Sequence, residues 1–239
     1  MRKNLVIVAL ALFSFGGLIQ AQETHQKDKK RIEGSGNIIT RDIAVQSFDE
    51  LDISGVFSVL LTQGSKEAVK IEADDNLQDL FEVKNEGSKL QISMKKESSF
   101  NSKKKVKLYV TFKKLKSMNL KTVGDVSSEQ NLSFDDLKLH NKSVGNVDLK
   151  LTAQTLNVEN KSVGNIKLNG KAESAIIKSN SVGSIQAASF VVQKMDIDNN
   201  GVGGAEVNAE KELKVKDNML GKVTNKGAAT AKRTSKTVI

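Results

Sequence analysis

Apolar and polar residues alternate along much of the chain. From Thr122 to Val223 one phrase punctuates the alternation six times: TVGDV, SVGNV, SVGNI, SVGSI, GVGGA and MLGKV. Its glycines are Gly124, Gly145, Gly164, Gly183, Gly203 and Gly221, at intervals of 21, 19, 19, 20 and 18 residues. Eight and six positions before the glycine stand apolar pairs: Leu137 and Leu139, Leu156 and Val158, Met195 and Ile197, Leu213 and Val215, with a weaker copy at Ala175 and Ile177. Two positions after it come Val147, Ile166, Ile185, Ala205 and Val223. A spacing of two is the signature of a strand, whose successive side chains face opposite sides. A unit this short cannot hold a strand, a crossover helix and a return strand, but it holds one coil of short strands and corners. The pattern therefore predicts an all-β solenoid, a parallel β-helix of about six rungs of ~20 residues, stacked ~4.8 Å apart into a rod of roughly 25–30 Å.

Upstream the alternation is less regular. Residues 34–115 read as an N-terminal β cap with degenerate rungs. Leu51 and Ile53 before Gly55, and Phe57 and Val59 after it, mimic one rung. Val83 and the Leu90, Ile92, Met94 series flank a turn and predict a hairpin. The stretch from Asp75 to Phe81 predicts one short helix, capped by Asp74 or Asp75. The solenoid proper is expected over 116–226, and the Ala, Thr and Lys-rich residues 227–239 as a flexible tail. At the other end, Arg2 and Lys3 precede an apolar run from Leu5 to Ile19 and a small residue, Ala21. Residues 1–21 thus read as a secretory signal, with an uncleaved anchor as the alternative. Residues 22–33 read as a disordered polar leader. An exported protein, periplasmic, surface-bound or extracellular, is the expectation, with no transmembrane span once the signal is removed.

Composition sharpens this picture. Pro and Cys are absent and aromatic residues make up 4% of the chain. Stacked ladders select against Pro, which cannot donate a ladder hydrogen bond. Without Cys there is no disulfide, thiol nucleophile or lipid-anchor cysteine. The net charge is +9, or +7 without Arg2 and Lys3. Ten lysines lie between Lys95 and Lys121, densest at Lys103, Lys104 and Lys105. Solvated strand faces and edge protection account for such a run, and contact with an anionic polymer is the alternative. Too few aromatics interleave for a nucleic-acid module, so no specific nucleic acid is expected.

Two phrases, GSGNIITRDIAVQSFDELDISGVFSVLLTQG and EAVKIEADDNLQDLFEVKNEGSKLQISM, precede the rungs. With those rungs they resemble the head GIN domain family over roughly residues 34–225. Members of that family are called auto-transporter adhesins and are common in Bacteroidota. The resemblance implies a β-helical fold and an exported location, and with the strand-twist preference it implies a right-handed coil. It brings no catalytic residue.

Three columns carry the functional question. Asn141, Asn160 and Asn199 stand four before their glycines, and Asn180 and Asn218 three before. The reading is a structural ladder at a coil corner; the rival, glycosylation at Asn141-Lys-Ser and Asn160-Lys-Ser, suits a bacterial protein poorly. Val123, Val144, Val163, Val182, Val202 and Leu220 directly precede the glycines. Strict alternation from Leu137 would expose them, but a glycine in every copy suggests a bend that resets the parity, so burial is expected. Signs of catalysis are thin. Asp125, Asp135, Asp136, Asp148, Asp196, Asp198 and Asp217 are scattered, and His25 and His140 lack a nucleophile partner. No cofactor or metal is expected. The expectation is a non-catalytic binding or structural module of adhesin type, contacting an acidic glycan or envelope surface. A glycan-active, lyase-like enzyme on the same scaffold and a self-associating envelope scaffold are the alternatives.

Overall fold

The computed structural model describes residues 31–95 and 99–234. The signal reading at 1–21, most of the leader and residues 235–239 lie outside the described residues. Strands β1 (Ile32–Glu33), β2 (Ile38–Ile43), β3 (Glu50–Gly55), β4 (Ser58–Gln63) and β5 (Ala68–Asp74) precede a 3-10 helix, Asp75–Leu80. Then come β6 (Phe81–Glu86), β7 (Lys89–Met94), β8 (Phe100–Asn101), β9 (Lys107–Phe112), β10 (Ser117–Thr122) and β11 (Val126–Ser128). The regular half holds β12 (Leu132–Asn141), β13 (Val147–Asn160), β14 (Ile166–Ser179), β15 (Ile185–Asn199) and β16 (Ala205–Asp217), followed by β17 (Val223–Asn225) and β18 (Ala231–Arg233).

This is a parallel β-solenoid of about six turns. Each regular coil is one long bent strand closed by a short turn. The predicted rungs stack in register: Leu139 pairs with Val158, then Ile177, Ile197 and Val215. Val126, Val147, Ile166, Ile185, Ala205 and Val223 form a second ladder. Both ladders are buried, so the aliphatic positions fill the interior as periodicity required. Gly170 lies between Leu151 and the fully buried Phe190. A Cβ at Gly170 would fall 2.0 Å from the Leu151 carbonyl oxygen, so only glycine lets the two strands stack there.

The degenerate rung read at residues 50–63 is a full coil: β3 pairs in parallel with β10, and β4 with β11. Beyond it the ladders are closed by reversal. On one wall β7 pairs in parallel with β3, and β6 then runs antiparallel to β7 as the predicted hairpin. On the other, β9 follows β4, and β5 and β2 run antiparallel beyond it. The outer strands carry charges, IITRDI on β2 and FEVKNE on β6, which discourage edge pairing.

Three expectations change. The helix is one 3-10 segment whose N-cap, Asp74, makes no side-chain capping bond. The Asp74 carboxylate instead accepts from the Gly36 N–H at 2.6 Å and from the Ser102 hydroxyl. Ser35 Oγ and Asn37 Nδ2 donate to Asp75. The GSGN opening and the ADDN segment thus clasp each other. Second, the leader joins the fold before residue 33, because β1 pairs with β8. Third, the segment read as a tail adds a partial coil: β18 pairs with β16, and Arg233 Nη1 meets Asp217 at 2.5 Å. Burial pushes the Asp217 carboxyl up, but the Arg233 guanidinium and the Val223 N–H more than offset it, leaving it below the usual range.

Glu72 on β5 is also held below its ordinary value of 4.5, first by the Lys107 ammonium and then by the Tyr109 hydroxyl. A depressed carboxylate stabilises the fold above its unfolded pKa, and that contribution is lost as pH falls through the folded value. Between neutrality and about pH 3, Glu72→Gln should therefore lose less stability than the wild type. Urea melts at the two pH values check this; equal losses would refute it.

Candidate functional site

The turns closing the coils line up along one corner of the solenoid. Within the turn at residues 160–166 the alternation does not break. Asn160 and Ser162 are buried, Lys161 and Val163 are exposed, and Ile166 is buried again. The expected burial of the valines is therefore overturned. Val163 is 55% exposed and Val182 60%. Val56, Val123, Val144 and Val202 complete an exposed apolar ridge, and Leu220 is exposed in the turn that follows.

The glycines have a different cause from the parity reset. They occupy inward positions where successive turns lie backbone on backbone. A Cβ at Gly145, Gly164, Gly183 or Gly203 would fall within 3.0 Å of the carbonyl oxygen of the glycine one coil before. Gly124 meets the Phe57 carbonyl in the same way, and Gly221 that of Gly201. Gly145 also has φ 140°, which side chains resist. In the first coil Phe57 itself holds the inward position, packing its ring 5.4 Å from Phe81 in the cap.

Polar ladders hold the corner rigid. Asn141 Nδ2 donates to Asn160 Oδ1 at 3.0 Å, and Asn160 Nδ2 to Ser179 Oγ at 3.3 Å. Asn199 Nδ2 reaches the carbonyls of Gly203 and Gly221. All three asparagines are buried, so none presents a glycosylation acceptor. Asn180 and Asn218 stand outside this column and are exposed. A second ladder escapes the sequence reading. Asp125 Oδ1 accepts from Asn146 N–H, Asn146 Oδ1 from Asn165 N–H, and Asn165 Oδ1 from Ser184 N–H, at 3.0, 3.0 and 2.8 Å. Its signal was visible: the residue after the glycine is repeatedly Asp, Asn or Ser.

Lysines border the ridge. Lys121, Lys142 and Lys161 are exposed two residues before Val123, Val144 and Val163. At the N-terminal end the fold brings in the lysine cluster. Lys103, Lys104 and Lys105 are exposed. Lys104 and Lys105 line a shallow hollow of about 240 Å³ together with Val56, Phe100, Val123 and Asp125. Ser102 fixes the start of this loop, bonding the Asp74 carboxylate and the Lys104 carbonyl.

A larger cleft of about 1010 Å³ opens beside the connection from β9 to β10, lined by Glu50, Lys113, Lys114, Lys116, Asp135, Asp136 and Lys138 among others. Lys116 pairs with Asp49 at 2.6 Å and holds that carboxyl below its usual range. Asp196 and Asp198 do share one strand face, where Lys216 pairs with Asp198 at 3.1 Å. His140 Nδ1 lies 3.0 Å from Glu159 across the rungs, and that contact holds the Glu159 carboxyl low. Among the described residues no three histidines or carboxylates are grouped as a metal-ligating set, and no helix is long and apolar enough to cross a membrane.

Residues 47–229 match the family model described as "Putative auto-transporter adhesin, head GIN domain". The crystal structure of a "putative adhesin" from Bacteroides fragilis is 32% identical; the match covers 85% of this chain and all of that one, with a TM-score of 0.72. A "putative adhesin" from Parabacteroides distasonis shares 18% identity over 86% of this chain and 96% of its own, with a TM-score of 0.62. A "putative lipid binding protein" from the same species shares 18% identity over 86% of this chain and all of its own, with a TM-score of 0.59. No curated protein matches the chain.

Proposed function

We propose that this chain, which belongs to the head GIN domain family of auto-transporter adhesins, acts as an exported, non-catalytic binding module that meets an envelope surface through its valine ridge. The observation that carries this reading is the exposure of one aliphatic side chain per coil from Val56 to Val202, in turns each bonded to the one before. Buried valines would have explained themselves as core. Exposed and contiguous, they mark a contact surface. Each half-exposed valine gains about 1 kcal/mol when covered. Six such gains only match the ~4–15 kcal/mol that association costs. A single module therefore binds weakly, and the flanking lysines or several copies acting together supply the rest. An acidic glycan on that surface would engage the lysines rather than the ridge.

The test is capture of envelope fragments by beads carrying the purified protein. Substituting Val144, Val163 and Val182 together by Asp should cut capture by about a hundredfold or more. Capture unchanged by the triple substitution would remove the ridge from the account.

A second reading rests on the cleft at Lys113 to Lys116, where carboxylates and lysines do share one space. On that reading the protein cuts an acidic polysaccharide. Release of new chain ends that disappears in Asp136→Asn would establish it; polysaccharide left intact would dismiss it.

A further inference from the structure

We infer that the ridge and the lysine-lined hollow at its end form one docking surface for an anionic lipid surface. The inference rests on the ridge being the contact face. Three observations lead to lipid rather than to sugar or to another folded chain.

The first is shape. The ridge follows a convex corner and is one side chain wide. Its six stacked positions from Val56 to Val202, at ~4.8 Å spacing, make a line of ~24 Å. A convex line fits a surface that yields to it. Sugar rings are commonly gripped by stacking on aromatic faces, and the ridge offers valine. Two copies meeting ridge to ridge would touch along a line and cover little area, well short of the ~800 Å² per partner of a stable interface.

The second is charge. Lys121, Lys142 and Lys161 border the apolar line, and Lys104 and Lys105 cluster where it begins. Lysine stems lie along apolar matter while the ammonium reaches outward. Aliphatic side chains at the acyl boundary with ammonium groups at the phosphates is the division of labour in interfacial protein segments. Asp125, the carboxylate lining the hollow, already accepts from Asn146 N–H.

The third is rigidity. Val144 N–H donates to the Thr122 carbonyl, Val163 N–H to Ser143 and Val182 N–H to Ser162, at 2.8 to 3.2 Å. Each turn is thus fixed to the one before it, and presenting the ridge needs no ordering of a loop.

Sedimentation of the purified protein with phosphatidylglycerol-containing vesicles, and with pure phosphatidylcholine vesicles, tests the assignment. Binding should be about tenfold tighter to the anionic vesicles and should weaken with salt. The pair Val163→Asp and Val182→Asp should weaken it by about tenfold or more, and Val163→Thr, close in shape, by less. Lys104→Glu with Lys105→Glu should weaken it and flatten the salt dependence. Unchanged circular dichroism in each variant separates these effects from unfolding. Absence of binding to anionic vesicles overturns the proposal. So does binding that the valine substitutions leave intact, or a ridge-dependent dimer in sedimentation without lipid. If envelope fragments are captured through the ridge while vesicles are not, the lipid assignment falls and the ridge remains the contact face. If neither binds, both readings fall.

Discussion

Gly164→Ala, a change of one methyl group, is expected to destabilise the protein by about 3 kcal/mol or more. The cost does not come from helix or strand propensity. The new Cβ would fall 1.9 Å from the Gly145 carbonyl oxygen, which is backbone. Side chains can turn away from an intruder; a stacked backbone must move as a unit. Because each coil contacts its neighbours on both sides, the strain spreads along the rod. Hydrogen exchange should accelerate first in the turns around residues 143 to 146 and 162 to 165. Val163→Ala beside it is the control, because an exposed position changes stability by no more than ~0.5 kcal/mol. Gly87→Ala is a second control: its turn has φ 60° but nothing within 4 Å of a new Cβ, so its loss should be smaller. Urea midpoints compare the three. A wild-type midpoint for Gly164→Ala would mean that the turns are not held backbone to backbone.

That prediction also shows what could be read from the sequence. Period and register were legible because a two-residue alternation repeated every coil leaves few ways to pair the strands, and Leu139, Val158 and Ile177 fall where it requires. The valines were legible too, since plain alternation from Leu137 exposes Val144. The error lay in the glycine. A Gly in every copy suggested a bend, whereas here it answers to a neighbour about 20 residues away that only stacking reveals. The meeting of Lys104 and Lys105 with Val56 and Val123 was not legible. It depends on β9 pairing with β4 across the intervening hairpin, and long-range pairing carries no local periodicity. The cap was half legible for the same reason. Its hairpin strands showed their alternation, but which ladder each would close was a question of topology. The cleft at Lys113 to Lys116 likewise exists only once β9 and β10 are placed on opposite walls.

Asn160→Ala should cost about 3 kcal/mol, because the buried ladder is worth more as a set than bond by bond. Asn160 is fully buried, accepts from Asn141 and donates to Ser179. Truncating it removes one bond on each side and leaves the Asn141 amide donor facing no partner. An unsatisfied buried donor costs ~1–3 kcal/mol beyond the lost bond. Asn141→Ala removes that same donor, so the two losses overlap. The double substitution Asn141→Ala with Asn160→Ala should therefore be less destabilising than the sum of the singles, by about 1–2 kcal/mol. Additive losses in this cycle would show that each asparagine works only within its own turn. In that case the ladder could not be what keeps the corner rigid, and the backbone bonds from turn to turn would hold the ridge alone.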